Sequence, residues 1–350
     1  MALYSWYKSK RPGDNRTERC LAEDKAVVYS VEEGSGLENV PLIAQPVRNT
    51  SRPDMEKVTV PDRNGDQITL NLKAGRLWPM TMEHVADVCG FTARPDDVFL
   101  CSYPRSGTHW VSDLLVVLIS NRLQLQTALK ADAMLEYVGC DHLDTKPSPR
   151  VINTHLNYHL LPKDVFQKQC KIVFVYRNPK DVALSYYHFI KERKHYGYNG
   201  KFPAFLELFM EGKVPYGDWF EYMQEWNSVI EEGRPCQIHI MYYEQLKQHF
   251  LREMSRLCSF LDLTRSTEFL EEMEKLSSFD SFKRSVDAQF DNSALDEWKG
   301  APQFIRTGVV GDWKNWFTVA LNEEFDELYQ RRMKGSCFNF SYETDFTESV

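Results

Sequence analysis

The sequence predicts an α/β protein: a single domain with a central parallel β-sheet flanked by helices and a P-loop-like anion-binding turn. Three observations point there. Apolar, β-branched runs alternate with amphipathic helical stretches between residues 98 and 276. Two of the strand-to-helix junctions carry residues suited to a phosphate. The chain has 350 residues, 43% of them hydrophobic and 26% charged, which is ample material for one large core.

Residues 1–55 are polar, broken by Pro and Gly and without a sustained period, so they read as a largely disordered or loosely attached extension. VTVPDRNGDQITLNL, Val58 to Leu72, has two alternating runs around Asn64-Gly65 and reads as a hairpin, so residues 56–77 form a lead-in to a domain over 78–345. A helix is expected near Met82 to Cys89. VFLCSYPRSGTHWVSDLLVVL, Val98 to Leu118, then gives a strand over 98–103 and a helix over 107–121. A helix N-terminus carries unpaired N–H groups and about half a positive charge, and Gly107 lets a phosphate approach its backbone. Ser106 and Thr108 add hydroxyls, and Arg105 adds a bidentate cation. This is not the Walker pattern, since the spaced glycines and the Lys before Ser/Thr are missing. On this segment alone, Ser106 could equally be an ordinary helix cap.

A strand follows at 151–154. KIVFVYRNPKDVALSYYHF, Lys171 to Phe189, repeats the architecture with a strand over 171–176 and a helix over 179–193 opened by Pro179. Arg177 then stands at the carboxyl edge with Ser185 two turns along the helix, unless it is spent on a salt bridge to Asp181. A helix near Trp219 to Glu232, a strand over 237–242 and helices over Glu244 to Leu261 and Thr267 to Leu276 complete the alternation. In parallel sheets ligands sit beyond the carboxyl ends of the strands, and Arg105, His155, Arg177 and Tyr243 all fall just past one.

A net charge of −8 argues against a general nucleic-acid surface, so any phosphate site must be a local cluster. The eight cysteines have no spacing that suggests zinc or a redox dithiol, and no metal site is expected. The N-terminus lacks the apolar core of a signal peptide and no apolar run reaches the ~18 residues of a membrane span, so a cytoplasmic protein without membrane attachment is expected. On that expectation the sequons at Asn15, Asn49 and Asn339 are unused.

Together these segments resemble the cytosolic sulfotransferases, which move a sulfonate from 3′-phosphoadenosine 5′-phosphosulfate (PAPS) to a hydroxyl or amine of a small acceptor such as a phenol, steroid or amine. The family's Tyr-Pro-Lys-Ser-Gly-Thr-Thr-Trp loop is matched by YPRSGTHW, Tyr103 to Trp110. Its Arg-Asn-Pro-Lys-Asp-Val segment is matched by Arg177 to Val182, and its Arg-Lys-Gly…Gly-Asp-Trp-Lys-Asn segment by RTGVVGDWKN, Arg306 to Asn315. The resemblance covers Trp78 to Phe340 and implies PAPS as co-substrate. It implies that Arg105, Ser106, Gly107, Thr108, His109 and Trp110 hold the 5′ end of the donor, and that Arg177, Ser185, Arg306, Thr307 and Gly308 hold its 3′-phosphate. Trp110 and Phe279 are similar to the family's adenine-stacking positions. Tyr243 is similar to the tyrosine that bonds the base, with Ser277 and Phe282 beside them. His155 in PRVINTHL matches the catalytic base, for which a neutral imidazole is suited. Lys314, Thr318, Val319 and Glu323 are similar to a short family dimer motif.

Three departures bear on the mechanism. Arg105 replaces a lysine, Asn153 replaces the second lysine two residues before the histidine, and Thr307 replaces a lysine near the C-terminus. Asn153 joins His155 and Arg105 as the implied catalytic set, but losing a charged donor at a developing oxyanion costs about 1 to 3 kcal/mol, or one to two decades in rate. Two other readings stand beside the transferase: a catalytically weak or inactive nucleotide-binding relative, and a small-molecule kinase. The arginines and serine assigned to a 3′-phosphate speak against the kinase, because ATP has none. The aromatic run Tyr186, Tyr187, His188, Phe189 and Tyr196 is a candidate acceptor slot of undetermined specificity.

Overall fold

A computed structural model describes residues 56–73, 75–79, 88, 90–125, 130–233, 236–288, 306–340 and 342. The expected extension over 1–55 and, apart from Val88, the expected helix near Met82 to Cys89 lie outside the described residues.

The lead-in is an antiparallel sheet of three strands, β1 (Glu56–Pro61), β2 (Gln67–Lys73) and β3 (Arg76–Trp78), one more than the hairpin read from the sequence. Val58 faces Leu70 and Val60 faces Ile68 across the β1–β2 register, so the alternating apolar positions share the buried face. Asp62 closes the turn, its Oδ1 accepting from the backbone N–H groups of Asn64 (2.8 Å) and Asp66 (3.0 Å).

Four parallel strands form the main sheet in the order β5-β4-β6-β7: β4 is Val98–Ser102, β5 Val151–Thr154, β6 Lys171–Tyr176 and β7 Gln237–Tyr242. The expected parallel α/β sheet is therefore present. Every residue of β4 and β5 is buried, as continuous apolar runs in a sheet covered on both faces require. Phe99, Cys101, Ile152, Ile172 and Phe174 enter the larger aromatic-rich core on one face, while Val98, Leu100, Val151, Val173 and Val175 enter an aliphatic core on the other.

The helices are α1 (Thr108–Ser120), α2 (Cys140–Asp144), α3 (Lys163–Gln167), α4 (Pro179–Glu192), α5 (Phe202–Met210), α6 (Trp219–Glu231), α7 (Tyr243–Gln248), α8 (Phe250–Phe260), α9 (Thr267–Leu276), α10 (Phe279–Ala288) and α11 (Val319–Arg332). The single helix expected over Glu244 to Leu261 is two, α7 and α8, because His249 leaves helical geometry at φ −134°, ψ 51°. Polar side chains cap α4, α6, α9 and α11 at Asn178, Asp218, Ser266 and Thr318. The Asn178 Oδ1 accepts from Lys180 N (2.9 Å), Asp218 from Phe220 N (2.7 Å), and Ser266 from Phe269 N (3.2 Å).

The amino ends of β4 and β5 are clamped from below by Arg150. Its Nε and Nη2 donate to the two Asp97 oxygens at 2.8 and 2.6 Å, and its Nη1 to the Leu143 carbonyl (3.2 Å) and to Asp144 (3.0 Å). Both Arg150 and Asp97 side chains are wholly inaccessible, so removing one partner strands a buried charge. Arg150→Ala is expected to lose about 3–5 kcal/mol of unfolding free energy in denaturant titration. A loss under about 1 kcal/mol would place the clamp among exposed, weakly coupled pairs.

Candidate active site

The strand order sets the order of the carboxyl edge: the β5 end gives His155, the β4 end the turn Tyr103 to Gly107, the β6 end Arg177 and the β7 end Tyr243. The four strand-end residues named from the sequence thus lie along one sheet edge.

The turn after β4 is built for close approach. Arg105 takes φ +71° and Gly107 φ +99°, both left-handed, and Ser106 N–H donates back to the Tyr103 carbonyl (3.3 Å). Gly107, not Ser106, is the N-cap of α1, and no side chain caps this helix. No side chain accepts from the first N–H groups of α1, in contrast to the Asn178-capped α4. Ser106 and Thr108 are buried, and the Thr108 hydroxyl pairs with Ser102 Oγ at 2.7 Å. His109 follows on the first turn, half-buried.

Tyr243 packs directly on this turn. A Cβ placed on Gly107 would come within 2.5 Å of the Tyr243 ring. Arg177 also packs on that ring, its Cζ 4.6 Å from the centroid, and donates from Nη1 to the Arg105 carbonyl (3.3 Å). The Arg177 Nε is buried with no hydrogen-bond acceptor. The alternative partner, Asp181, stands 3.9 Å from Arg177 Nη2, while the Asp181 oxygens accept from the backbone N–H groups of Gly311 (2.8 Å) and Trp313 (3.1 Å). Buried Glu244 is 4.0 Å from Arg177 Nε, and burial pushes its carboxyl up to about 8. Arg105 turns along α4, donating from Nε to Ser185 Oγ (3.1 Å). Burial, with the like charges of Arg177 and Arg193, pushes its guanidinium down to about 10.

The C-terminal limb joins from the opposite side. Arg306 is paired with Asp312, and that carboxylate also acts on Arg177. Gly308, at φ +62°, lies flat on the Phe279 ring, leaving no room for a side chain. Thr307 is exposed. The limb is stapled by Lys180, buried with its Nζ 2.5 Å from Asp326, 2.7 Å from Asn322 and 4.5 Å from the Trp313 ring centroid. Trp110 donates from Nε1 to the Ser277 carbonyl (3.1 Å) and meets Tyr243 edge-on at 5.7 Å. Phe279 opens α10 half-buried, whereas Phe282 is a buried core residue.

His155 is buried beside the turn. Its Nδ1 lies 2.7 Å from the Ser102 carbonyl, an acceptor only, so Nδ1 carries a proton and the neutral tautomer has its lone pair on Nε2. Its backbone N–H donates to Glu136 Oε1 (2.8 Å), which also accepts from Tyr216 OH (3.0 Å), and the Tyr216 ring meets the imidazole edge-on at 5.3 Å. Burial holds the Glu136 carboxyl above the usual range. Asn153 is fully buried in β5, two residues before His155. Glu136, Tyr216, Lys247 (5.0 Å from the Trp110 ring) and Arg193 were not singled out in the sequence. Only Arg193 carried a signal: Ser185, Phe189 and Arg193 recur at helical spacing.

A sulfotransferase-domain family model matches residues 95–337, so every element of this edge falls within the match. The chain belongs to the sulfotransferase family. Sulfotransferase 1E1 of Homo sapiens is 36% identical over 272 residues, covering 73% of this chain and 90% of that protein. Sulfotransferase 1B1 of Canis lupus familiaris is 35% identical over 267 residues, covering 72% and 88%. The crystal structure of mouse sulfotransferase SULT7A1 complexed with PAP superposes with a TM-score of 0.63 at 31% identity, covering 75% of this chain and 94% of that one. A retinol dehydratase, at 20% identity and a TM-score of 0.65, shares the fold. Among the described residues of this sulfotransferase no helix is long and apolar enough to cross a membrane.

The tight seat of Tyr243 on the turn predicts that Gly107→Ala loses about 1–3 kcal/mol of stability, because the methyl meets the ring and alanine resists positive φ. Equilibrium unfolding measures this, and a variant as stable as wild type would rule out the close approach.

Proposed function

We propose that this chain transfers the sulfonate of PAPS to a hydroxyl or amine of a small acceptor, with His155 as general base. The observation that carries the reading is the juxtaposition of a tautomer-fixed imidazole with an uncapped, arginine-bearing helix N-terminus on adjacent parallel strands. The acceptor proton passes to His155 Nε2 as the acceptor oxygen or nitrogen bonds to sulfur in line. The S–O bond to the 5′-phosphate breaks on the far side, and the leaving phosphate is stabilised by Arg105, Ser106, Thr108 and the α1 N–H groups, with Asn153 offering an uncharged amide.

Arg177, Ser185, Arg306 and the Gly308 backbone take the 3′-phosphate, while Trp110, Phe279 and Tyr243 take the adenine. The buried, acceptorless Nε of Arg177 fits this assignment, as does the PAP held by the 31% identical mouse relative. A catalytic domain over 78–345 with the lead-in 56–77, and cytoplasmic residence, belong to the same proposal. So does a homodimer through the exposed Lys314, Thr318, Val319 and Glu323.

Calorimetry with adenosine 3′,5′-bisphosphate and with ADP tests the nucleotide: the bisphosphate is expected to bind much more tightly, and parity would favour a kinase. His155→Ala is expected to abolish sulfonate transfer with bisphosphate affinity nearly intact, and equal turnover would eliminate the base. Arg177→Ala is expected to weaken bisphosphate binding by at least about 1.5 kcal/mol, read from the same titration.

A further inference from the structure

The fold places a carboxyl behind Arg177 that the proposed chemistry does not use. Glu244 is the second residue of α7, directly after the tyrosine seated on Gly107, and its side chain packs against the junction between β6 and α4. It is wholly inaccessible. Its Oε1 accepts from the Asn178 N–H (3.1 Å) and stands 4.0 Å from Arg177 Nε, outside hydrogen-bond reach. Its Oε2 is buried with no hydrogen-bond partner, and so is that Nε. A carboxylate in this position would carry its charge with one oxygen unpartnered, which burial disfavours strongly against the neutral acid. We propose that Glu244 is a positioning residue for Arg177: as the neutral acid it leaves the guanidinium to the 3′-phosphate of the donor, and as the carboxylate it draws the guanidinium onto itself and weakens donor binding. This inference rests on the sulfotransferase reading, in which Arg177 takes that phosphate.

Burial pushes the Glu244 carboxyl up to about 8, against the opposing pull of Arg177 and of the Asn178 N–H. Asp181 of α4 adds a like charge that raises it further, and Asp181 is itself held by the Gly311 and Trp313 N–H groups. Tyr176 of β6, Tyr243 on the same helix and Tyr342 beyond α11 also face it. Burial pushes all three phenols up, so none of them ionises near neutral pH. Lys247, one turn along α7, feels Arg177 and is pushed down, by burial first. A phosphate on Arg177 brings negative charge toward Glu244 and engages the cation that favours its ionised form, so the carboxyl rises further in the complex and binding takes up a proton. Donor affinity therefore stays level while Glu244 is protonated and falls as the pH rises through about 8. The phosphates of the nucleotide are ionised already by about pH 7 and produce no such fall.

The test titrates the full chain calorimetrically with adenosine 3′,5′-bisphosphate and with adenosine 5′-monophosphate at pH 7, 8 and 9, in two buffers of different ionisation enthalpy. Wild type is expected to bind the bisphosphate about tenfold more weakly at pH 9 than at pH 7, and to take up about half a proton on binding at pH 8. The monophosphate lacks the group that meets Arg177, so its affinity is expected to change by less than about threefold over the same range. Glu244→Gln keeps the shape of the neutral acid and cannot ionise. It is expected to bind the bisphosphate equally at pH 7 and pH 9 and to take up no proton. A merely structural Glu244 would instead lower affinity at every pH and leave the ratio between pH 7 and pH 9 where wild type has it. Should the variant not fold, the contrast between the two nucleotides in wild type decides. A bisphosphate affinity level from pH 7 to pH 9, a monophosphate affinity that falls in parallel, or a Glu244→Gln ratio equal to that of wild type overturns the inference, while preference for the bisphosphate over ADP at pH 7 leaves the parent reading intact. Loss of that preference would remove the parent reading.

Discussion

Arg177 rests on the face of Tyr243 and reaches back to the Arg105 carbonyl, while the same tyrosine ring is seated on the bare backbone of Gly107. This stack joins the ends of three parallel strands, β4, β6 and β7, into one surface. It can form only because the residue under the ring lacks a Cβ and because the turn holds two left-handed residues, Arg105 and Gly107, on either side of Ser106. Without that seat the tyrosine would stand away from the turn, and Arg177 would lose both the ring beneath it and the carbonyl that aims it.

The site concentrates positive charge in a chain whose net charge is −8. Arg105, Arg177, Arg193 and Arg306 lie close enough to influence one another through shared neighbours, and burial first, then repulsion from Arg177 and Arg193, pushes the Arg105 guanidinium down to about 10. Interior carboxylates offset part of this repulsion: Asp312 on Arg306 and Asp181 beside Arg177. Such an arrangement gains from a multiply anionic ligand because the ligand relieves repulsion that the fold has already accommodated.

Two buried devices make the geometry rigid. Lys180 and Asp181, consecutive residues at the start of α4, hold the C-terminal limb by its aromatic rings and its backbone, which fixes where Arg306 and Gly308 stand. On the other side Glu136 and Tyr216 hold His155, and Tyr216 is itself anchored through its N–H to the Leu77 carbonyl (2.9 Å) in the lead-in sheet. The lead-in strands thereby support the imidazole from outside the parallel sheet.

The strand-turn-helix units at Val98 to Leu118 and Lys171 to Phe189, the parallel sheet and the positions of Arg105, His155, Arg177 and Tyr243 were legible because each follows from local rules: periodicity, turn residues and the carboxyl-edge geometry of parallel strands. The break at His249, the third lead-in strand and Gly107 as the α1 cap were not, since each depends on what packs against it. Glu136 and Tyr216 were invisible for the same reason. One lies between β4 and β5 and the other before α6, and nothing local to either announces a histidine. By itself the sequence determined the fold class and singled out the turn and the histidine to which the proposed function assigns the donor and the proton, because these are properties of short segments. Only the tertiary structure decided the tautomer of His155, the Phe189 ring shared by Arg105 and Arg193, and the closure of the C-terminal limb, because these are contacts between segments far apart in the chain.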